Sequence, residues 1–141
     1  MNRASAGQRE RYDDEWNGWK AGAAAFEGVR RYDQISGVVQ QLGSRKILDV
    51  GCGDGRLARA IRAHCPDVVI HGCDLSPVAL ARSEGLDRQY PVDLNCEVLP
   101  EQDGTFDLVI ASEVIEHVIQ PDRVLAELTR VLRQGGHVML T

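Results

Sequence analysis

Residues 46–55, Lys-Ile-Leu-Asp-Val-Gly-Cys-Gly-Asp-Gly, constrain the fold of this chain more than any other stretch. Ile47, Leu48 and Val50 read as a buried β-strand, and Gly51, Gly53 and Gly55 follow at a spacing of two. Leu57, Ala58 and Ile61 then give one apolar helix face. A strand that runs through a glycine turn into a helix is how an α/β protein presents backbone N–H groups to a ligand. A dinucleotide turn has the form G-x-G-x-x-G, and its third glycine would fall at position 56, which is Arg56. The pattern here is D-x-G-x-G-x-G, led by Asp49. A carboxylate at a strand end is a poor neighbour for a pyrophosphate and a good one for an ammonium group or a bound water. The turn therefore suits a zwitterionic or cationic ligand.

The remainder of the chain alternates in the same way. Strand one covers about 46–50, with its helix at 54–64 stopping near Pro66. Strand two is 68–73, followed by a helix capped by Ser76, with Pro77 in its first turn, that runs to about Ser83. Strand three is expected at 90–94 and strand four at 106–111. A short helical segment is expected at 113–118, and a longer helix after Pro121 carries Val124, Leu125, Leu128, Val131 and Leu132 on one face. Gly135-Gly136 is expected to turn the chain into strand five at 137–140. This alternation predicts an α/β fold, a doubly wound and mostly parallel sheet with helices on both faces. Ligand binding belongs at the carboxyl ends of its strands, beside strand one, where the strand order reverses. Residues 44–141 form this domain. Residues 1–43 form an N-terminal segment, polar and flexible over 1–19 and helical over 20–42.

Further residues line up with the glycine turn. Asp74 ends strand two, where an acid can accept hydrogen bonds from both hydroxyls of a ribose; the plainer role is that of a helix cap. Leu75 offers an apolar surface to a purine. Asp93 and Leu94 end strand three, where a carboxylate can accept from an exocyclic amine or serve only its own turn. Ala111 and Ser112 end strand four, beside Asp49.

Three ordered runs carry a resemblance: 47–57 (Ile-Leu-Asp-Val-Gly-Cys-Gly-Asp-Gly-Arg-Leu), 72–77 (Gly-Cys-Asp-Leu-Ser-Pro) and 106–117 (Phe-Asp-Leu-Val-Ile-Ala-Ser-Glu-Val-Ile-Glu-His). Together with the closing 125–138 they resemble the class I S-adenosylmethionine-dependent methyltransferases, across about 45–141. The resemblance implies a Rossmann-like sheet of order 3-2-1-4-5 and S-adenosylmethionine as cofactor. It implies that Gly51, Cys52, Gly53 and Gly55 wrap the methionine part and that Asp49 faces its ammonium group. Asp74 would hold the ribose, Leu75, Asp93 and Leu94 would frame the adenine, and Ala111 and Ser112 would meet the amino-acid end. Family members usually add two more strands after strand five. Those strands are missing here, so association through the strand-five edge, or marginal stability without ligand, is expected.

Glu113, Glu116 and His117 form an E-x-x-E-H pattern that a helical turn would place on one face. Two carboxylates and an imidazole can bind a divalent metal, His117 can act as a general base, or all three can serve structure. The pattern resembles the ubiquinone-biosynthesis-type O-methyltransferases and the small-RNA 2′-O-methyltransferases. No metal is expected. The net charge of −5, from 16 basic and 21 acidic residues, weighs against a nucleic-acid partner. The expected activity is methyl transfer to a small-molecule acceptor, at oxygen; a binding module without turnover and RNA 2′-O-methylation are the rivals. Cys52, Cys65, Cys73 and Cys96 form no C-x-x-C pair and suit reduced thiols in the cytoplasm, and no apolar run is long enough to span a membrane. Tyr12, Trp16 and Trp19 at helical spacing are either packing residues or a lid over the site. Arg30 and Arg31 are expected to be solvated.

Overall fold

A computed structural model describes residues 3–18 and 24–141. Its elements are α1 (Arg3–Gly18), α2 (Ala24–Leu42), β1 (Lys46–Val50), α3 (Arg56–His64), β2 (Val69–Asp74), α4 (Pro77–Leu80), β3 (Arg88–Pro91) and β4 (Phe106–Ala111), then a single 3₁₀ turn (Ile115–His117), α5 (Pro121–Val131) and β5 (Leu132–Leu140). The sheet order is β3-β2-β1-β4-β5, and every pairing is parallel. This is the doubly wound α/β sheet that the strand–helix alternation requires.

Period-two alternation sends successive side chains to opposite faces, and both faces are buried, as a parallel sheet demands. Leu48, Val50, Val109 and Ala111 pack on one face with Val124, Leu128 and Val131 of α5. Ile47, Ile70, Leu108 and Ile110 pack on the other with Ile35 and Val39 of α2 and Leu57, Ala58 and Ile61 of α3. The reversal of strand order lies between β1 and β4, so the crevice above their carboxyl ends is the topological binding position.

Several boundaries differ from expectation, each for a physical reason. Residues 3–18 are helical rather than flexible. The segment is rich in good helix formers and has no proline, and polar contacts tie it to the domain. Asp13 accepts the Ser76 hydroxyl, Arg82 donates to the Trp16 carbonyl, and Gln8 Nε2 donates to the His117 carbonyl at 2.8 Å. The helix after Ser76 is four residues long, because the Ser83 hydroxyl and the Gln89 amide take the Leu80 carbonyl and end it. β3 ends at Pro91; the Val92 N–H still donates to the Asp74 carbonyl at 3.0 Å, and the turn in which the Asp93 carbonyl accepts the Cys96 and Glu97 N–H groups then carries the chain away from the sheet. β5 begins at Leu132, directly after α5, and the two glycines fall inside the strand rather than before it. A register shift between Phe106 and Leu108 marks the bulge that absorbs them.

The 113–118 segment is not one helical face. Only Ile115–His117 form a 3₁₀ turn, and Glu113 before it has φ of 56°. Arg31 is not simply solvated: its Nη1 lies 3.2 Å from Glu113 Oε1. Trp19 lies outside the described residues.

Candidate functional site

The glycine turn is built from backbone bonds that the neighbouring strand supplies. The Gly51 and Cys52 N–H groups both donate to the Cys73 carbonyl, at 2.8 and 3.0 Å. The Gly53 N–H donates to Asp74 Oδ2 at 2.9 Å, and the Ser76 N–H to Asp74 Oδ1 at 2.8 Å. Asp74 thus staples the turn after β1 to the start of α4. Ser76 caps that helix, accepting from the Ala79 N–H at 3.2 Å. Gly55 caps α3 in the left-handed region, at φ 78°.

Above this turn lies a cleft of about 280 Å³. Among the residues singled out from the sequence it brings together Gly51, Gly53, Asp74, Leu75, Asp93, Leu94, Ser112, Glu113 and His117. Asp49, Cys52, Gly55 and Ala111 do not line it; Asp49, Cys52 and Ala111 are buried in the sheet and turn behind its wall. Asn95, Val114 and Val118 line the cleft without having been anticipated. Asn95 follows the Asp93 turn, and a polar residue after a strand end was the available signal. The opposite wall is α1, through Gln8, Tyr12 and Trp16. The Trp16 ring lies over the turn so closely that a Cβ on Gly53 would sit 2.8 Å from its Cζ2. Asn95 Nδ2 donates to Gln8 Oε1 at 3.3 Å, and the Tyr12 ring meets His117 edge-on at 6.1 Å between centroids.

The site is rich in acids. Asp49 is 2% exposed, and its Oδ2 finds no hydrogen-bond partner. Burial, reinforced by the like charge of Asp74, pushes its carboxyl up to about 8. Asp74 is also raised by burial, against the backbone donors that favour its ionised form. Burial pushes the Cys52 and Cys73 thiols far up, so both stay neutral and unreactive. Asp93 is committed locally: it accepts from the Asn95 N–H at 3.0 Å and from the Cys96 thiol at 3.2 Å. Glu113 turns toward Arg31, while Glu116 lies 3.9 Å from His117 Nε2. The E-x-x-E-H residues therefore do not converge, and no group of three or more metal-ligating side chains comes together among the described residues.

An orphaned buried carboxylate next to the turn, a turn with bare glycine backbone at Gly51 and Gly53 and a two-oxygen acceptor at Asp74 fit the adenosyl sulfonium amino acid that the resemblance implies. An ammonium group and a sulfonium suit the acids, and a diol suits Asp74. A pyrophosphate suits neither.

The comparisons with known proteins agree with this geometry. The chain is 34% identical over 117 residues to the ubiquinone biosynthesis O-methyltransferase of Xanthomonas oryzae pv. oryzae (strain PXO99A), covering 79% of this chain and 48% of that protein. It spans about half the length of the curated relatives it matches. Its fold is similar to the crystal structure of an S-adenosylmethionine-dependent methyltransferase from Mesorhizobium loti (TM-score 0.60, 30% identity, 70% of this chain and 45% of that one). It is also similar to the [4+2]-cyclase SpnF (TM-score 0.63, 30% identity, 77% of this chain and 43% of that one). Residues 48–138, from the middle of β1 to near the end of β5, match the family described as "Methyltransferase domain", and the chain belongs to that family.

Proposed function

We propose that this protein binds S-adenosylmethionine in the cleft over the glycine turn and transfers its methyl group to an oxygen of a small-molecule acceptor. The observation that carries the reading is that Asp74, the glycine turn and His117 line one cleft. S-adenosylmethionine supplies a methyl carbon already activated by its sulfonium charge, so the protein's task is to align donor and acceptor and to exclude water. Asp74 holds the ribose, Gly51 and Gly53 lie against the methionine part, and Leu75 and Leu94 face the adenine. His117 takes the proton of an acceptor hydroxyl as general base. The acidic cleft and the net charge of −5 favour a neutral acceptor over an anionic one, and over RNA. All four cysteines are free thiols, in keeping with a reducing cytoplasmic setting.

The test is methyl transfer from labelled S-adenosylmethionine to a panel of phenols and catechols. We expect product with the parent protein and a fall in kcat of about a hundredfold for His117→Ala, at unchanged cofactor affinity. Absence of product across the panel together with tight cofactor binding would favour the second reading, a binding domain without methyl transfer. The likeness to the [4+2]-cyclase SpnF and the half-length match are the observations on that side.

We further read α1 as a cover for the cofactor. Its Trp16 ring seals the turn, and Asp13 and Gln8 latch the helix to Ser76 and to the His117 carbonyl. Trp16→Ala is expected to speed cofactor dissociation about tenfold, since truncating a large aromatic cover uncovers the ligand. Stopped-flow displacement measures this, and an unchanged off-rate would leave α1 a packing element only.

A further inference from the structure

We propose that Asp49 is a proton-linked element of the cofactor site: it carries a proton in the free protein near neutrality and gives it up when the cationic cofactor settles on the glycine turn. The inference rests on the cofactor reading above. Its basis is placement. Asp49 is the penultimate residue of β1, registered between Gly72 of β2 and Ile110 of β4, and only Val50 separates it from Gly51 on the cleft floor. Its Oδ2 is buried without a donor.

The groups around it offer no neutralising charge. The turn contributes Cys52, and β2 contributes Cys73 and Asp74; both thiols are un-ionised. β4 contributes the apolar Ile110. From α2 comes Tyr32, whose phenol senses Asp49, Asp54, Arg31 and Arg56 and is itself raised by burial. Arg31 pairs with Glu113, and Arg56 Nε with Asp54 at 3.0 Å. Among the described residues the one charge that acts appreciably on Asp49 is the like charge of Asp74. A buried carboxyl so placed holds its proton until a cation arrives.

The sign follows. Burial and Asp74 raise the free-protein value to about 8, so at pH 7 the free form is mostly the neutral acid. An ammonium at the turn favours the carboxylate and lowers that value in the complex. Binding therefore releases a proton, and affinity rises with pH up to about 8 and then levels off.

Isothermal titration of the full chain with S-adenosylhomocysteine, in buffers of different ionisation enthalpy, reads the proton directly. At pH 7 we expect release of about 0.9 proton per site, and Kd falling by up to about tenfold per unit between pH 6 and 7.5. Asp49→Asn should release almost none and bind with a flat pH profile. Methylthioadenosine, which keeps the adenosyl thioether but lacks the amino-acid tail, should release none from the parent protein. An infrared band of a protonated carboxylic acid, present in the free parent at pH 7 and lost on binding, provides a readout that needs no variant. Proton release below about 0.2, or release unchanged in Asp49→Asn, would overturn the proposal while leaving the cofactor reading intact. Failure of S-adenosylhomocysteine to bind at any pH would instead overturn the cofactor reading.

Discussion

Replacing Gly55 with alanine is expected to lower the melting temperature by roughly 10–15 °C, the largest stability effect of any single change in the turn. Gly55 sits at φ 78°, and a Cβ built there would lie 2.3 Å from the Glu84 carbonyl oxygen and 2.8 Å from the Glu84 nitrogen. Both obstacles are backbone, so neither can rotate away. The left-handed conformation costs a non-glycine residue about 1–2 kcal/mol, and forced repacking adds about 1–3 kcal/mol. Gly53 makes an informative contrast. Its φ of 53° exacts a similar conformational penalty, but the obstacle to its Cβ is the Trp16 ring. That ring belongs to a side chain on α1 and can move. Gly53→Ala should therefore damage cofactor binding more than stability, and Gly55→Ala the reverse. Thermal denaturation of the two variants side by side decides this. A Gly55→Ala protein that melts within about 2 °C of the parent would show that the Glu84 backbone yields.

How legible this molecule is in its sequence depends on which force sets each element. The strand, turn and helix at 46–64 and the apolar stripe of α5 were legible because burial sets them, and burial leaves a periodic trace. Leu57, Ala58 and Ile61, and Val124, Leu128 and Val131, are spaced as one helix face, and those residues are the buried ones. Helix α1 left only the spacing of Tyr12 and Trp16, and beside those two rings its hold on the domain is polar and distant: Asp13 on Ser76, Gln8 on Asn95 and His117. No local pattern encodes contacts 63 and 109 residues away. The start of β5 was hidden by Gly135-Gly136, which read as a turn and instead lie in a bulged strand. Within the site, the acids at the tips of β1 and β2 were legible, but their division of labour was not. Asp49 shares the strand parity of Ile47 and is buried next to the turn without lining the cleft, whereas Asp74 ends β2 in the cleft itself. The E-x-x-E-H trio misled because it presumed a helix, and the positive φ of Glu113 breaks that geometry before the 3₁₀ turn begins.

Asp74→Ala is expected to weaken binding of S-adenosylhomocysteine by about 100-fold or more, the largest functional loss predicted here, since a charged acceptor is worth about 1.5–3 kcal/mol for each of two ribose hydroxyls. The structure gives the residue a second task. Its two oxygens accept the Gly53 and Ser76 N–H groups, so the alanine variant leaves two backbone donors unpaired and the turn without its staple. Each unpaired donor costs about 1–3 kcal/mol when it stays buried, which predicts a measurable loss of stability as well. Asp74→Asn separates the two tasks. The amide keeps one acceptor oxygen, so that variant should melt closer to the parent yet still bind weakly, because the charge that strengthens the ribose hydrogen bonds is gone. It should also act on Asp49. Without the like charge of Asp74, the Asp49 carboxyl is raised by burial alone, so its free-protein value falls below about 8 and less proton is released on binding at pH 7. Titration calorimetry gives the affinity and the proton count together, and thermal denaturation gives the stability. Asp74→Ala binding within threefold of the parent, with an unchanged melting temperature, would remove Asp74 from both roles and leave the turn held by the Cys73 carbonyl alone.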